Sequence, residues 1–249
     1  MSNISHAVFR SWTEYKRDLI PELFGGAPFR SGRYLFRGCG DADWSLMSAF
    51  DRRFQALPSD RRASIWQRLV QSFRLACTEH GVPHRIVGDD NALIAFGQHH
   101  GLPTKLLDWS LSPYVATFFA FRDALAHHGE IENVAVWALD THCDVWADVS
   151  CVQIVAPPAV KNLRLRNQAG RFTLCRTAHL SLEEHVYESG ATGAPLMKMI
   201  MPASDASHAL PDLDAMGVSA AHLFPDVTGL TESVIMREEL ASWSDGDVS

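Results

Sequence analysis

Phe9, Trp12, Tyr15 and Leu19 recur at helical spacing, so FRSWTEYKRDLI at 9–20 predicts a first amphipathic helix. A Gly/Pro-rich loop, FGGAPFRSGR, leads to the apolar run YLFRG, read as a strand ending at Gly38. Ile65, Leu69, Phe73 and Ala76 line one face of a helix over 61–79. After the loop HGVPHRIVGDD, NALIAFGQHHG predicts another helix, broken at Gly101-Leu102-Pro103. Ser112-Pro113 is a strong helix start: serine caps free N–H groups, and proline lacks only an N–H that goes unused there. Val115, Phe118, Phe119 and Phe121 follow, and a helix apolar nearly all round, here to about Ala126, belongs in the interior.

Past residue 130 the period shortens. NVAVWALD, CVQIVAP, RFTLCR and PLMKMIMP are strand-like runs interrupted by Pro and Gly. SDASHALPDLDAMG and LTESVIMREELASW close the chain as helices, the last over about 230–243. The expectation is one α+β domain over 1–249 with a core at about 9–236, helical in its N-terminal half and strand-rich in its C-terminal half.

A hydrophobic fraction of 47% with 20% charged residues is that of an ordinary globular protein. No apolar run approaches the ~18 residues of a membrane span. The start, MSNISHAVFRSW, has no signal-peptide core. A cytoplasmic protein with no membrane partner is therefore expected. Five widely spread cysteines without a Cys-x-x-Cys pair point to reduced thiols and exclude a zinc ribbon or disulfide frame. A net charge of −7 gives no overall pull toward nucleic acid or anionic lipid. The early arginines nevertheless concentrate in RSGRYLFRG and DRRFQALPSDRR, within 30–62, as a basic patch or as solvated partners of nearby acids. Phosphate-binding GxxxxGK[ST], G-x-S-x-G, H-E-x-x-H and G-x-G-x-x-G are all absent, which excludes the usual forms of the ATPases, hydrolases, metalloproteases and dinucleotide folds they mark.

The chemistry that remains is concentrated in FGQHHGLPTKLLDWSLSPYVATFFAF at 96–121. His99 and His100 are adjacent, and neighbours on a helix or strand point too far apart to chelate one ion, so hydrogen bonding at a crowded turn or direct ligand contact is expected over a metal. Arg37 closes an apolar strand, where a charge needs a partner. It suits either a bidentate anion contact or a pairing with Asp108. Gly38 permits an unusual turn or a close ligand approach. Asp108, Trp109 and Ser110 precede a helix N-terminus, a favourable place for anions. Asp108 reads as a cap or an arginine partner, Ser110 as a cap or a holder of a ribose hydroxyl, and Trp109 as core or a stacking platform.

YLFRGCGDADWSLMSAFDRR at 34–53 resembles the start of the FRG domain, named for its Phe-Arg-Gly motif, and 96–121 resembles that family's central signature. RNQAGRFTL and HLFPDVTGLTESV, at 166–174 and 222–234, look like its later segments. The arrangement is also similar to the ADP-ribosyltransferase plan, which implies a split β-sheet and NAD as substrate. Arg37 then matches the NAD-holding arginine of the first strand, with Gly38 and Trp109 beside the cofactor and Ser110 seating the nicotinamide ribose. His99 or His100 binds a ribose hydroxyl or relays a proton. Gln168, in Arg166-Asn167-Gln168, stands where a Glu-x-Glu is expected, orients the ribose without supplying charge, and leaves Asp108 to serve electrostatically. The resemblance implies transfer of ADP-ribose to a protein or nucleic acid, or NAD hydrolysis, in a toxin or phage-defence effector. A non-catalytic binding module and a metal-dependent nuclease or phosphoesterase using His99, His100 and Asp108 are the alternatives. Arg37 is expected across from 96–121, near Asp108.

Overall fold

The computed structural model describes residues 4–24, 32–127, 130–156 and 167–246. Most of the Gly/Pro-rich loop, at 25–31, and Arg166 lie outside the described residues. Seven strands form one mixed sheet: β1 (Ile4–Val8), β2 (Tyr34–Cys39), β3 (Leu106–Ser110), β4 (Asn133–Asp140), β5 (Val152–Val155), β6 (Gly170–Cys175) and β7 (Leu196–Pro202), in the order β1-β7-β4-β2-β3-β6-β5. Only β1–β7 is parallel; the other neighbours run antiparallel.

Ten helices are described: α1 (Trp12–Phe24), α2 (Ala49–Phe54), α3 (Ser59–Glu79), α4 (His84–Val87), α5 (Asp90–His99), α6 (Pro113–Leu125), α7 (Leu182–Glu188), α8 (Ala206–Ala215), α9 (Ala220–Leu223) and α10 (Val227–Gly246). The α+β class is as expected. The N-terminal half is mainly helical, as expected, but also supplies β1, β2 and β3, while the C-terminal half divides evenly between four strands and four helices. None of the described helices is long and apolar enough to cross a membrane.

Helix α6 centres the larger core. Ser112 caps it, its hydroxyl accepting from Val115 N at 3.3 Å, with Pro113 at the first helical position. Phe118, Phe121, Ala120 and Leu125 are fully buried against Phe36, Val136 and Met199 of the sheet and against Tyr15 and Leu19 of α1. Gly38 is what lets α6 approach β2: a Cβ there would stand 2.0 Å from the Ala116 carbonyl oxygen and 2.7 Å from Ala120 N. Alternation sends Leu35 and Cys39 to the opposite face, into a second core with Trp109, Trp137, Leu139 and Leu182. A smaller cluster, Ile94, Leu106, Phe172 and Leu174, fastens α3 and α5 to β3 and β6.

Candidate functional site

The strands β2 and β3 share a single register pair, Phe36 with Ser110. Beyond it β2 continues along β4 and β3 along β6. Where the two part, the Asp108 carbonyl accepts from a side chain instead of a strand amide: Arg37 Nη1 donates to it at 2.8 Å. The same nitrogen lies 3.9 Å from Asp108 Oδ2. Arg37 thus fills the gap between two strands while its Nε and Nη2 stay without a protein partner among the described residues.

The Asp108 carboxylate is held from the other side. Gln98 Nε2, on the last turn of α5, donates to Oδ1 at 2.8 Å. Thr104 Oγ1 donates in turn to Gln98 Oε1, and the Thr104 carbonyl accepts from Phe50 N of α2 at 3.0 Å. One hydrogen-bonded chain therefore runs from α2 through the 101–104 turn and α5 to β3.

These elements enclose a cleft of about 410 Å³. Its polar lining is Arg37, Arg52, Arg53, Gln98 and Asp108, and Leu102, Leu106 and Leu107 contribute apolar wall. Arg52 and Arg53 stand in the last turn of α2, where cations complement the helix dipole. Arg52 Nη2 donates to the Met47 carbonyl at 3.1 Å, and Arg53 makes no ion pair or side-chain hydrogen bond among the described residues.

A buried charge cluster anchors α2. Ser48 caps the helix, accepting from Asp51 N at 3.0 Å and donating to Asp51 Oδ2 at 2.7 Å. Asp51 Oδ1 faces Lys105 Nζ at 3.4 Å and Arg62 Nε at 3.7 Å, and all three side chains are at most 7% exposed. Isolated buried charges are prohibitive, so this grouping fixes α2, α3 and the start of β3 in one arrangement.

The Asp108 side chain is 63% accessible, although protein atoms crowd around it. That loss of hydration raises its carboxyl pKa above the ordinary value; Arg37 and the Gln98 hydrogen bond pull it back without cancelling the rise.

The other expected site residues are dispersed. Trp109 is 3% exposed and its Nε1 donates to Thr173 Oγ1 at 2.9 Å, so it is core and presents no stacking face to the cleft. Gly38 is spent on the approach of α6, not on a ligand. Ser110 Oγ donates to the Gln168 carbonyl at 2.7 Å and accepts from Ser112 N at 3.0 Å, away from the cleft lining. Gln168 therefore meets Ser110 through its main chain, next to Ala169, whose φ of 48° turns the chain into β6. His99 and His100 are both exposed at the end of α5 and do not line the cleft; the His100 ring lies 4.5 Å from that of Phe96. Among the described residues no group of three His, Cys, Asp or Glu is placed to hold a metal ion.

The sequence reading missed Gln98, Arg52 and Arg53 as site residues. The signal for the arginines was the DRR run, noted only as a patch, and for Gln98 its position ten residues before Asp108.

Residues 32–129 match the family model of the FRG domain. The matched stretch runs from just before β2 to just beyond α6 and contains every polar residue of the cleft; the later segments at 166–174 and 222–234 lie outside it. No curated protein and no solved structure matches the chain.

Proposed function

We propose that the cleft between β2, β3 and α2 binds NAD and cleaves its nicotinamide–ribose bond, passing ADP-ribose to water or to a macromolecular acceptor. The observation that carries this reading is the Asp108 carboxylate, held by Gln98 in a cleft whose other charged lining is the three guanidinium groups of Arg37, Arg52 and Arg53. Departure of nicotinamide leaves positive charge at C1′ of the ribose, and a fixed carboxylate in a partly dehydrated cleft stabilises it. The C1′–N bond breaks with its electron pair going to nicotinamide, a C1′–O bond forms to the acceptor, and the acceptor's proton passes to solvent. Arg37, with Nε and Nη2 unengaged, holds an anionic or ribose oxygen of the ligand in the fork geometry that favours bidentate contact. The strands that carry Arg37 and Ser110 and the strand that follows Gln168, β2, β3 and β6, are consecutive in the sheet, which puts the three positions of the resemblance on neighbouring strands. A toxin or phage-defence effector is the biological setting the resemblance implies.

The test is nicotinamide release from NAD by purified protein, followed chromatographically, with Arg37→Ala and Asp108→Asn alongside. Release lost in both variants supports the reading; neither binding nor release of NAD by the parent protein ends it. A second reading, a binding module without turnover, is favoured by the neutral Gln168 where a glutamate is expected. Calorimetric binding of ADP-ribose with no nicotinamide release selects it.

A further inference from the structure

We propose that Arg52 and Arg53 form a diphosphate subsite, so that the ligand class of the cleft is a sugar or nucleoside joined through a pyrophosphate bridge. The inference rests on the proposed reading of the cleft and adds to it two residues and a direction. Three guanidiniums and one carboxylate line the cleft, a net charge of +2 with Asp108 ionised, in a chain whose net charge is −7. The bridging diphosphate of a dinucleotide carries two negative charges, so it neutralises this lining, whereas an uncharged nucleoside leaves it unbalanced.

Position supports the same division. Arg37 is committed through Nη1 to β3 and sits beside Asp108. Arg52 and Arg53 stand apart from that pair, on α2, and neither takes part in an ion pair among the described residues. Solvated arginines at a helix end need no rigid mounting, yet these follow directly on Asp51, which is locked against Lys105 and Arg62 in the interior. The chain Phe50–Thr104–Gln98–Asp108 then fixes their wall relative to the reacting wall. Arg37 and Asp108 line the same cleft, so a diphosphate seated on α2 leaves them to meet the attached ribose, and Leu102, Leu106 and Leu107 supply apolar wall.

Calorimetry on the full chain with inorganic pyrophosphate, ADP-ribose and nicotinamide riboside tests this. Pyrophosphate and ADP-ribose should compete for one site, and nicotinamide riboside should bind at least tenfold more weakly than ADP-ribose. Arg53→Ala should weaken both phosphorylated probes at least tenfold and shift the melting temperature little, because Arg53 makes no ion pair or side-chain hydrogen bond among the described residues. Arg52→Ala should act in the same direction, and added salt should weaken the parent protein more than either variant. If ADP-ribose binds equally to parent, Arg52→Ala and Arg53→Ala, or if NAD is cleaved with unchanged KM in both variants, the subsite is wrong while the NAD reading stands. If pyrophosphate binding depends on Arg53 but NAD is neither bound nor cleaved, the subsite stands and the NAD reading falls. Absence of any pyrophosphate binding by the parent overturns the subsite outright.

Discussion

Arg37 Nη1 donates to the main-chain carbonyl of Asp108 at 2.8 Å, at the point where β2 and β3 cease to pair. The arginine therefore does two things: it completes the hydrogen bonding of a strand and offers its remaining nitrogens to the cleft. The two separate by substitution. Arg37→Met keeps the aliphatic stem and removes the donor; the bond is exposed, so water can take its place at the carbonyl and the loss should be about 0.5–1.5 kcal/mol. For a chain of this size each kcal/mol lowers the melting temperature by about 2–4 °C. Arg37→Lys keeps the charge, loses the fork, and should recover part of the stability but little of the ligand affinity. Thermal melts paired with ADP-ribose titrations check both statements; equal recovery of stability and affinity in the lysine variant would show that charge alone matters.

Gly38 is expected to be intolerant for a reason unrelated to ligand. A Cβ at this position meets the backbone of α6, at 2.0 Å from Ala116 O, and backbone cannot rotate away as a side chain can. Gly38→Ala must push the central buried helix off the sheet, which places it at or above the upper end of the about 1–3 kcal/mol typical of overpacking. Soluble yield and the urea midpoint should both fall. Any folded fraction should bind ADP-ribose with unchanged affinity, since the cleft does not use this residue.

The buried cluster gives an asymmetric expectation. Asp51→Ala strips Lys105 and Arg62 of their shared counter-ion and should cost about 3–5 kcal/mol, the range for breaking a buried pair. Lys105→Met removes a cation, leaves Asp51 with Arg62, and should cost clearly less. Denaturant unfolding of the two variants measures the difference. Similar losses would mean that Asp51 takes its support from Lys105 alone.

Ser110 separates the resemblance from the geometry. Its hydroxyl is engaged with Gln168 O and Ser112 N, so Ser110→Ala should lose two hydrogen bonds worth about 0.5–1.5 kcal/mol each and shift ADP-ribose affinity little. A tenfold loss of affinity with unchanged stability would instead assign the hydroxyl to ligand.

Much of this architecture was legible along the chain, where local physics decides. The cap at Ser112, the all-apolar α6 and the strand Asn133–Asp140 fall where periodicity and capping put them. Helix α7 was legible too, through Ser181, whose hydroxyl accepts from Glu184 N, and Glu184, whose carboxylate reaches back to Leu180 N, one residue before the cap, but the signal was passed over. Helix α1 begins at Trp12 rather than Phe9 because Ser11 caps it, its hydroxyl accepting from Glu14 N at 3.2 Å, a Ser-x-x-Glu signal present in the sequence; the remote carboxylate of Asp205, which accepts from Trp12 N, was not legible there. The site divides in the same way. That Arg37 faces Asp108 followed from charge economy and the motif, whereas its bond to the main-chain carbonyl depends on two strands parting, which no residue spacing encodes. Trp109 and Gly38 belonged to the motif and were left open between a structural role and a ligand contact; the structural role holds, as a buried indole pairing with Thr173 and a helix pressed against a strand.

Asp108 carries the sharpest expectation. Incomplete hydration raises its carboxyl pKa above the ordinary value of about 3.9. A carboxyl with a raised folded-state pKa binds its proton more tightly in the fold than in the unfolded chain. Its favourable contribution is complete below the unfolded value and is lost as the pH rises through the folded one. The side chain is 63% accessible, so solvent screens the effect and keeps it small, but its sign makes the ionised group at neutral pH a cost to stability, retained in a cleft where the proposed chemistry needs its charge. Asp108→Asn keeps an acceptor for Gln98 and leaves the main-chain carbonyl to Arg37, while removing the charge. The variant should melt above the parent at pH 7, and the gap should close as the pH is lowered toward 4. Its nicotinamide release should fall by about 10²–10³, the scale of losing one preorganised electrostatic group. In the parent, release should rise with pH through a midpoint above the usual carboxylate range. A variant that melts below the parent at pH 7 would mean that the attraction of Arg37, 3.9 Å away, outweighs the missing water.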